Sequence, residues 1–160
     1  MLKFREMTAA DFPLMLRWLT MPHVSEWWDD DDDTLEKIKR HYGEREEGLG
    51  RYILVEEKNG AQREIGYFQH YDAGDETVGI DQFIGEKEYL NRGVGTEAIK
   101  LFIEMIKDKY RPKKIILDPH PANRRAIRCY EKAGFRHYET VKHENGEDAF
   151  MMCCEIRGER

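Results

Sequence analysis

The sequence predicts an α/β (α+β) fold: a mixed, mostly antiparallel sheet of about seven strands with helices on both faces, in one domain spanning residues 1–160. Three observations predict it. Short segments of period-two alternation recur along the chain, other stretches carry apolar residues at helical spacing, and turn residues separate them in the order β-α-α-β-β-β-α-β-α-β-β. No internal repeat, linker or low-complexity stretch interrupts that order, and 160 residues suit a single core. With 40% hydrophobic and 36% charged residues, the chain has the apolar share of a folded protein and a strongly charged surface.

Leu2 to Met7 alternates as a strand. Thr8 then offers a hydroxyl cap to a helix from about Ala9 to Leu19, whose apolar Phe12, Met15, Leu16 and Leu19 share one face. A loop through Met21, Pro22 and His23 leads to Glu26, Trp27, Trp28 and an acidic run, after which Thr34 caps a second, more polar helix ending before Gly48. Arg51 to Glu57 and Glu64 to Asp72 form a hairpin around Lys58-Asn59-Gly60, and Ala73-Gly74-Asp75-Glu76 turns the chain into a strand from about Thr77 to Ile84. The segment Leu90-Asn91-Arg92-Gly93-Val94-Gly95-Thr96 opens a helix reaching about Tyr110, with Ala98, Ile99, Phe102, Ile103 and Ile106 on one side. Lys114 to Leu117 is a short strand of buried type, stopped by Asp118-Pro119-His120-Pro121. Asn123 to Ala133 reads as a helix closed by Gly134, since glycine adopts the left-handed conformation that ends helices. Phe135 to Lys142 and Ala149 to Glu155 complete the sheet as a hairpin around Glu144-Asn145-Gly146.

Charge and cysteine usage exclude several classes. Against 26 basic side chains stand 32 acidic ones, and the formal net charge of −6 repels phosphate backbones and anionic headgroups, so neither nucleic acid nor membrane is expected as a partner. Glu26, Asp29 to Asp33 and Glu36 form a run without a Lys or Arg, which either attracts cations or is a solvated loop. Cys129, Cys153 and Cys154 are odd in number and lack C-x-x-C spacing, so neither a disulfide framework nor a metal site is expected. The segment from Met1 to Glu6 has no apolar signal region, and no uncharged apolar run approaches the roughly 18 residues that span a bilayer. A cytoplasmic protein is expected.

Gly93-Val94-Gly95-Thr96 stands where a strand region hands over to a helix, so backbone N–H groups and the positive end of the helix dipole converge on one anion. The stretch lacks both the dinucleotide fingerprint and the Walker lysine. Further along comes Asn123-Arg124-Arg125-Ala126-Ile127-Arg128-Cys129-Tyr130-Glu131-Lys132-Ala133-Gly134-Phe135. Together the two segments resemble the GNAT superfamily, in which a glycine loop at a helix start holds the acyl-CoA pyrophosphate and the next helix carries an N-x-x-A-x-x-x-Y-E-K-x-G-F pattern. Within it, Gly79-Ile80-Asp81-Gln82, Asp118-Pro119 and Ala126 to Phe135 look like the aminoglycoside 6'-N-acetyltransferases, as do Arg17-Trp18-Leu19 and Glu26-Trp27-Trp28. The likeness covers nearly the whole chain, with two departures. Leu90 stands where the superfamily usually has Gln or Arg, and only Ala73-Gly74-Asp75-Glu76 stand where many drug-modifying relatives carry a longer insertion, which shortens one wall of the acceptor pocket.

The resemblance implies acetyl-CoA as cofactor and transfer of its acetyl group to a small polycationic amine, foremost the 6'-amine of an aminoglycoside. A primary amine with a pKa near about 10 is mostly protonated at neutral pH, so transfer needs a base. The resemblance assigns that role to Asp81, and places Tyr130 near the coenzyme sulfur as the acid for the departing thiolate. The residues alone leave structural roles open: a strand-end carboxylate for Asp81, and a core-facing ring for Tyr130, with Ile127 on the same side. The backbone at Phe83 and Ile84 is expected to polarise the thioester and pair with the pantetheine like an added strand. Arg92, Gly93, Val94, Gly95, Thr96, Asn123, Ala126, Tyr130 and Lys132 complete the expected coenzyme site, and Asn123 also caps its helix. Arg125 is expected to neutralise phosphates, Arg124 and Arg128 either do the same or form a basic face, and Cys129 is expected in the core. For the acceptor, Trp27 and Trp28 supply flat walls that attract cations, and Glu26, Asp72, Asp81 and Asp118 supply carboxylates. Core packing of one tryptophan is the alternative. The family also admits a siderophore precursor or a protein N-terminus as acceptor, or a non-catalytic acyl-CoA sensor, in a monomer or homodimer.

Overall fold

The computed structural model describes residues 1–28 and 30–156. Among these residues, strands numbered in chain order form one sheet in the order β1 (Leu2–Glu6), β2 (Gly50–Lys58), β3 (Ala61–Gly74), β4 (Thr77–Ile84), β5 (Lys114–Leu117), β7 (Asp148–Glu155) and β6 (Arg136–Lys142). The pairs β1–β2, β5–β7 and β6–β7 are antiparallel, whereas β4 and β5 are parallel. Parallel neighbours need a crossover rather than a hairpin. Helix α4 (Val94–Tyr110) lies in that crossover. The chain divides into two compact units, Met1–Gln69 with Gln82–Leu90 and His70–Asp81 with Asn91–Arg160.

In the first unit, Thr8 and Asp11 form a capping box: the Thr8 N–H donates to Asp11 Oδ2 at 2.8 Å, and Arg5 donates to both Asp11 oxygens at 2.8 and 2.7 Å. The expected helix from Ala9 is divided into a 3₁₀ turn, Ala9–Asp11, and α1, Phe12–Leu19. Pro13 explains the division, because its missing N–H is tolerated only in the first turn of an α-helix. Trp18 is fully buried where the periodicity favoured Leu16, which packs only partly on the core. Its indole N–H donates to Glu86 Oε2 at 2.6 Å, and its ring fills the space a Cβ on Gly85 would need. Arg17 and Arg63 bring guanidinium groups to Glu86 at 2.5 and 3.2 Å, while Arg63 also pairs with Glu88. Burial alone would raise the Glu86 carboxyl, but the bonds from Trp18 and Arg17 outweigh it and hold it low.

The segment expected as a loop at Pro22 and His23 is instead a helical turn, α2 (Pro22–Ser25), begun by a proline whose φ is already helical. Helix α3 (Leu35–Tyr42) is capped by the Thr34 hydroxyl, which accepts from Lys37 N at 3.2 Å, and it ends at Gly43, well before Gly48. Met15, Trp18, Ile38, Ile53 and Tyr67 make the centre of this unit's core.

In the second unit, α4 buries Ala98, Ile99, Phe102, Ile103 and Ile106, the face its spacing predicted. The turn between β3 and β4 is tighter than expected, because β3 continues to Gly74 and leaves only Asp75 and Glu76. Both have left-handed φ, 51° and 57°, as a two-residue hairpin of the I′ type requires. Lys113 holds this turn with its N–H on Glu76 O at 2.8 Å and its Nζ on the Glu76 carboxylate at 3.2 Å. Among the described residues no helix is long and apolar enough to cross a membrane.

His70 is 2% exposed beside Phe102 and Tyr110, with Nε2 3.4 Å from the Tyr110 hydroxyl. Burial, aided by the charge of Lys109, lowers its pKa from 6.5 to about 4. The folded ring stays neutral down to that pH, whereas in the unfolded chain it charges near 6.5. Stability from His70 is therefore complete above pH 6.5 and falls as the pH drops toward 4, by roughly 2 kcal/mol at pH 5. Urea titrations at neutral pH and at about pH 5 should show this loss in the wild type and a smaller one in His70→Phe. An equal loss in both proteins would exclude the buried imidazole as its source.

Candidate active site

The loop before α4 is shaped by two left-handed residues, Asn91 with φ 60° and the N-cap Gly93 with φ 78°. Gly93 turns the chain so that the first intrahelical bond runs from Glu97 N to Gly93 O, 3.1 Å. The amides of Val94, Gly95 and Thr96 thus have no acceptor within the helix. They point along a 17-residue helix whose dipole is positive at this end, which is the chemistry of an anion site. Gly95 faces α5 (Arg124–Lys132): a Cβ there would lie 3.3 Å from Cys129 Sγ, and the Thr96 hydroxyl donates to the same sulfur at 3.4 Å. Cys129 is half-buried against this turn rather than in the core, and burial raises its thiol pKa, which suits packing and not nucleophilic attack.

Asn123 caps α5, accepting from Ala126 N at 3.4 Å. No residue of α5 is fully buried. Tyr130 is half-buried, its ring edge-on to Phe135 at 6.3 Å, and is not locked into the core as its Ile127 neighbour had allowed. Arg92 and Lys132 are exposed.

The ladder between β4 and β5 pairs Thr77 with Lys114, Val78 with Ile115 and Gly79 with Ile116. That register ends at Gly79 and Ile116; beyond it Ile80 and Leu117 are buried, and Asp81 and Asp118 are partly exposed. The charges of both aspartates act on one neighbour, Tyr71. Tyr71 of β3 lies across Gly79, where any Cβ would run into its ring and hydroxyl. Burial raises the Tyr71 phenol, and the charges of Asp81 and Asp118 raise it further, so it stays protonated in the field of both carboxylates. Burial also raises Asp118, and His143 opposes that rise with Nε2 3.6 Å from Asp118 Oδ2. The Phe150 N–H holds Pro119 O at 3.0 Å and ties this segment to β7. Tyr71 and His143 were not among the expected site residues. Only the strand register and the β6–β7 turn bring them here.

In the first unit, Trp27 and Trp28 divide the two roles. Trp28 packs edge-on against Phe83 at 5.1 Å and Tyr67 at 6.0 Å, while Trp27 is 37% exposed beside an exposed Glu26. The Ile84 carbonyl lies 3.1 Å from His23 Nε2, so α2 already occupies part of the backbone expected to pair with pantetheine. Asp72 is exposed and accepts from Gly74 N at 2.9 Å, a turn-forming contact. The acidic run is countered by α3, with Lys37 on Asp33 and Asp31 at 2.8 and 3.3 Å and His41 on Asp32 at 2.7 Å. Asp30, Asp32 and His41 bring one donor atom each within 4.8 Å of one another, a spacing that exposed acidic groups commonly show without a metal.

A family model described as an acetyltransferase (GNAT) domain matches residues 7–143. An aminoglycoside N(6')-acetyltransferase type 1 of Klebsiella pneumoniae is 35% identical over 165 aligned positions, covering 92% of this chain and 80% of that protein. The structure of AAC(6')-Ib in complex with ribostamycin and coenzyme A is 32% identical, with a TM-score of 0.85 over 99% of this chain and 98% of that one. AAC(6')-Ib in complex with coenzyme A and kanamycin gives 33% identity and a TM-score of 0.83, over 97% and 95% of the two chains.

The packing of Tyr71 on Gly79 has a measurable consequence. Gly79→Ala should destabilise the protein by about 1–3 kcal/mol in denaturant titration, because the ring must leave its seat. In a Tyr71→Ala background the same change should cost much less, and strict additivity would mean that the two residues do not share this space.

Proposed function

The chain belongs to the GNAT acetyltransferase family, and from that premise we propose that it transfers the acetyl group of acetyl-CoA to a primary amine of a small polycationic acceptor, foremost the 6'-amine of an aminoglycoside. The observation that carries the acceptor class is that two carboxylates, Asp81 and Asp118, act on the same half-buried phenol of Tyr71. One carboxylate can take a proton while the other holds a second ammonium, which an acceptor with several amines satisfies and a monoamine does not. The named relatives support the same class, being aminoglycoside acetyltransferases and their complexes with ribostamycin and kanamycin.

The residues present fit the coenzyme. Amides without a helical acceptor at Val94, Gly95 and Thr96, beside two positions lacking side chains, suit a pyrophosphate, with Arg92, Asn123, Ala126 and Lys132 flanking it. When bound, acetyl-CoA supplies the activated thioester. In the first unit, the backbone at Phe83 and Ile84 would supply an N–H to polarise the acyl carbonyl, the Ile84 carbonyl lying 3.1 Å from His23 Nε2. Asp81 accepts the proton of the acceptor ammonium, so that the neutral amine is the attacking species. Tyr130 Oη donates a proton to the leaving sulfur. Asp118 holds the second ammonium, with Asp72 a further exposed carboxylate of the same unit; in the first unit Glu26 and Trp27 are exposed and suited to a cation, and Trp28 is packed on Phe83. The groups assigned to the pyrophosphate and to proton transfer lie in the second unit.

A thiol-release assay with acetyl-CoA and a panel of aminoglycosides and polyamines tests the assignment, which expects turnover with at least one multi-amine compound. Silence across the panel from folded, coenzyme-binding protein would withdraw the acceptor class and favour an acyl-CoA sensor. Asp81→Asn should lower turnover by about 10²–10⁴ with acetyl-CoA affinity nearly unchanged. Full activity in that variant would remove Asp81 from the mechanism.

A further inference from the structure

The β6–β7 turn carries a side chain toward the acceptor carboxylates. His143 is fixed by its own backbone, its N–H donating to Glu147 O at 2.8 Å and its carbonyl accepting from Gly146 N at 2.9 Å. The same hairpin is tied to the segment after Asp118 by the bond from Phe150 N to Pro119 O. The imidazole Nε2 lies 3.6 Å from Asp118 Oδ2, with its side chain 51% exposed and that of Asp118 29% exposed. Water and protons reach both.

Among the described residues, Tyr71 from β3 and Tyr138 from β6 also feel the charge of Asp118, and both are phenols that burial, then neighbouring acidic groups, keep protonated. Among the described residues, His143 is the cationic partner found on Asp118.

We propose that His143 is an acceptor-site residue whose imidazolium competes with the acceptor's ammonium for the carboxylate of Asp118, making acceptor affinity depend on the charge of His143. This rests on the reading of Asp118 as an acceptor-binding carboxylate. Histidine changes charge between about pH 5 and 8. With its ring protonated the protein carries its own counter-ion, and an incoming ammonium must displace it. A neutral ring leaves the carboxylate open. By linkage, a bound acceptor in turn disfavours the protonated ring. An exposed pair of this kind shifts an equilibrium by roughly two- to fivefold.

The test is calorimetric titration of kanamycin into protein saturated with coenzyme A, which allows binding without turnover, at about pH 5.5 and about pH 8. Comparing variants at one pH cancels protonation of kanamycin itself. His143→Gln should bind roughly two- to fivefold more tightly than wild type at the lower pH, with the gap closing at the higher one. His143→Lys should bind more weakly than His143→Gln at both. Asp118→Asn should bind weakly throughout and erase the effect of His143→Gln. If Asp118→Asn weakens binding but the ratio between wild type and His143→Gln is the same at both pH values, competition by His143 is excluded and Asp118 keeps its role. If Asp118→Asn leaves kanamycin affinity unchanged, the role of Asp118 falls and the inference falls with it.

Discussion

β4 and β5 run parallel through Thr77–Gly79 and Lys114–Ile116, and two parallel neighbours can be joined only by a crossover long enough to carry the chain back. Helix α4 lies in that crossover, beginning after β4 and ending before β5. Asp81 follows the paired part of β4 and Asp118 follows β5, and the charges of both act on Tyr71. One topological constraint thus produces the helix start suited to an anion and leaves two carboxylates just beyond the paired segment. The antiparallel pairs on the β1 and β6 sides of the sheet have no equivalent requirement.

The chemistry around the carboxylates depends on what is kept neutral as well as on what is charged. Each carboxylate favours a proton or a cation nearby. Tyr71 adds a phenol that remains protonated, seated where Gly79 leaves room. His143 adds an imidazole 3.6 Å from Asp118. Glycines make the close approaches possible: Gly79 beneath Tyr71, Gly85 beneath Trp18 and Gly95 beside Cys129. At Gly93 the demand is different, since open space surrounds it and the left-handed turn into α4 is what favours glycine.

The elements were legible where short-range physics decides them. The strand at Thr77–Ile84, the apolar face of α4, the Thr34 and Asn123 caps and the left-handed Gly134 all follow from residues within a turn or two of one another. Contacts between distant segments were not. Trp18 is buried because Glu86 and Gly85, far along the chain, receive its indole. Cys129 leaves the core because Thr96 and Gly95 meet it across two helices. Tyr71 and His143 reach the carboxylates through strand pairing and a hairpin turn, and no local pattern encodes either. The acidic run shows the intermediate case: Lys37 and His41 were visible, yet only the fold of α3 against the loop pairs them with Asp31, Asp32 and Asp33.

The account depends on the amides of the Gly93–Thr96 turn holding a pyrophosphate at the start of α4. Amide resonances followed during titration with coenzyme A report on those groups directly. The expected result is saturable binding with the largest shifts at Val94, Gly95 and Thr96. Saturation that leaves those amides unmoved, or the absence of any binding by folded protein, would contradict the assignment of this turn and the activity built on it.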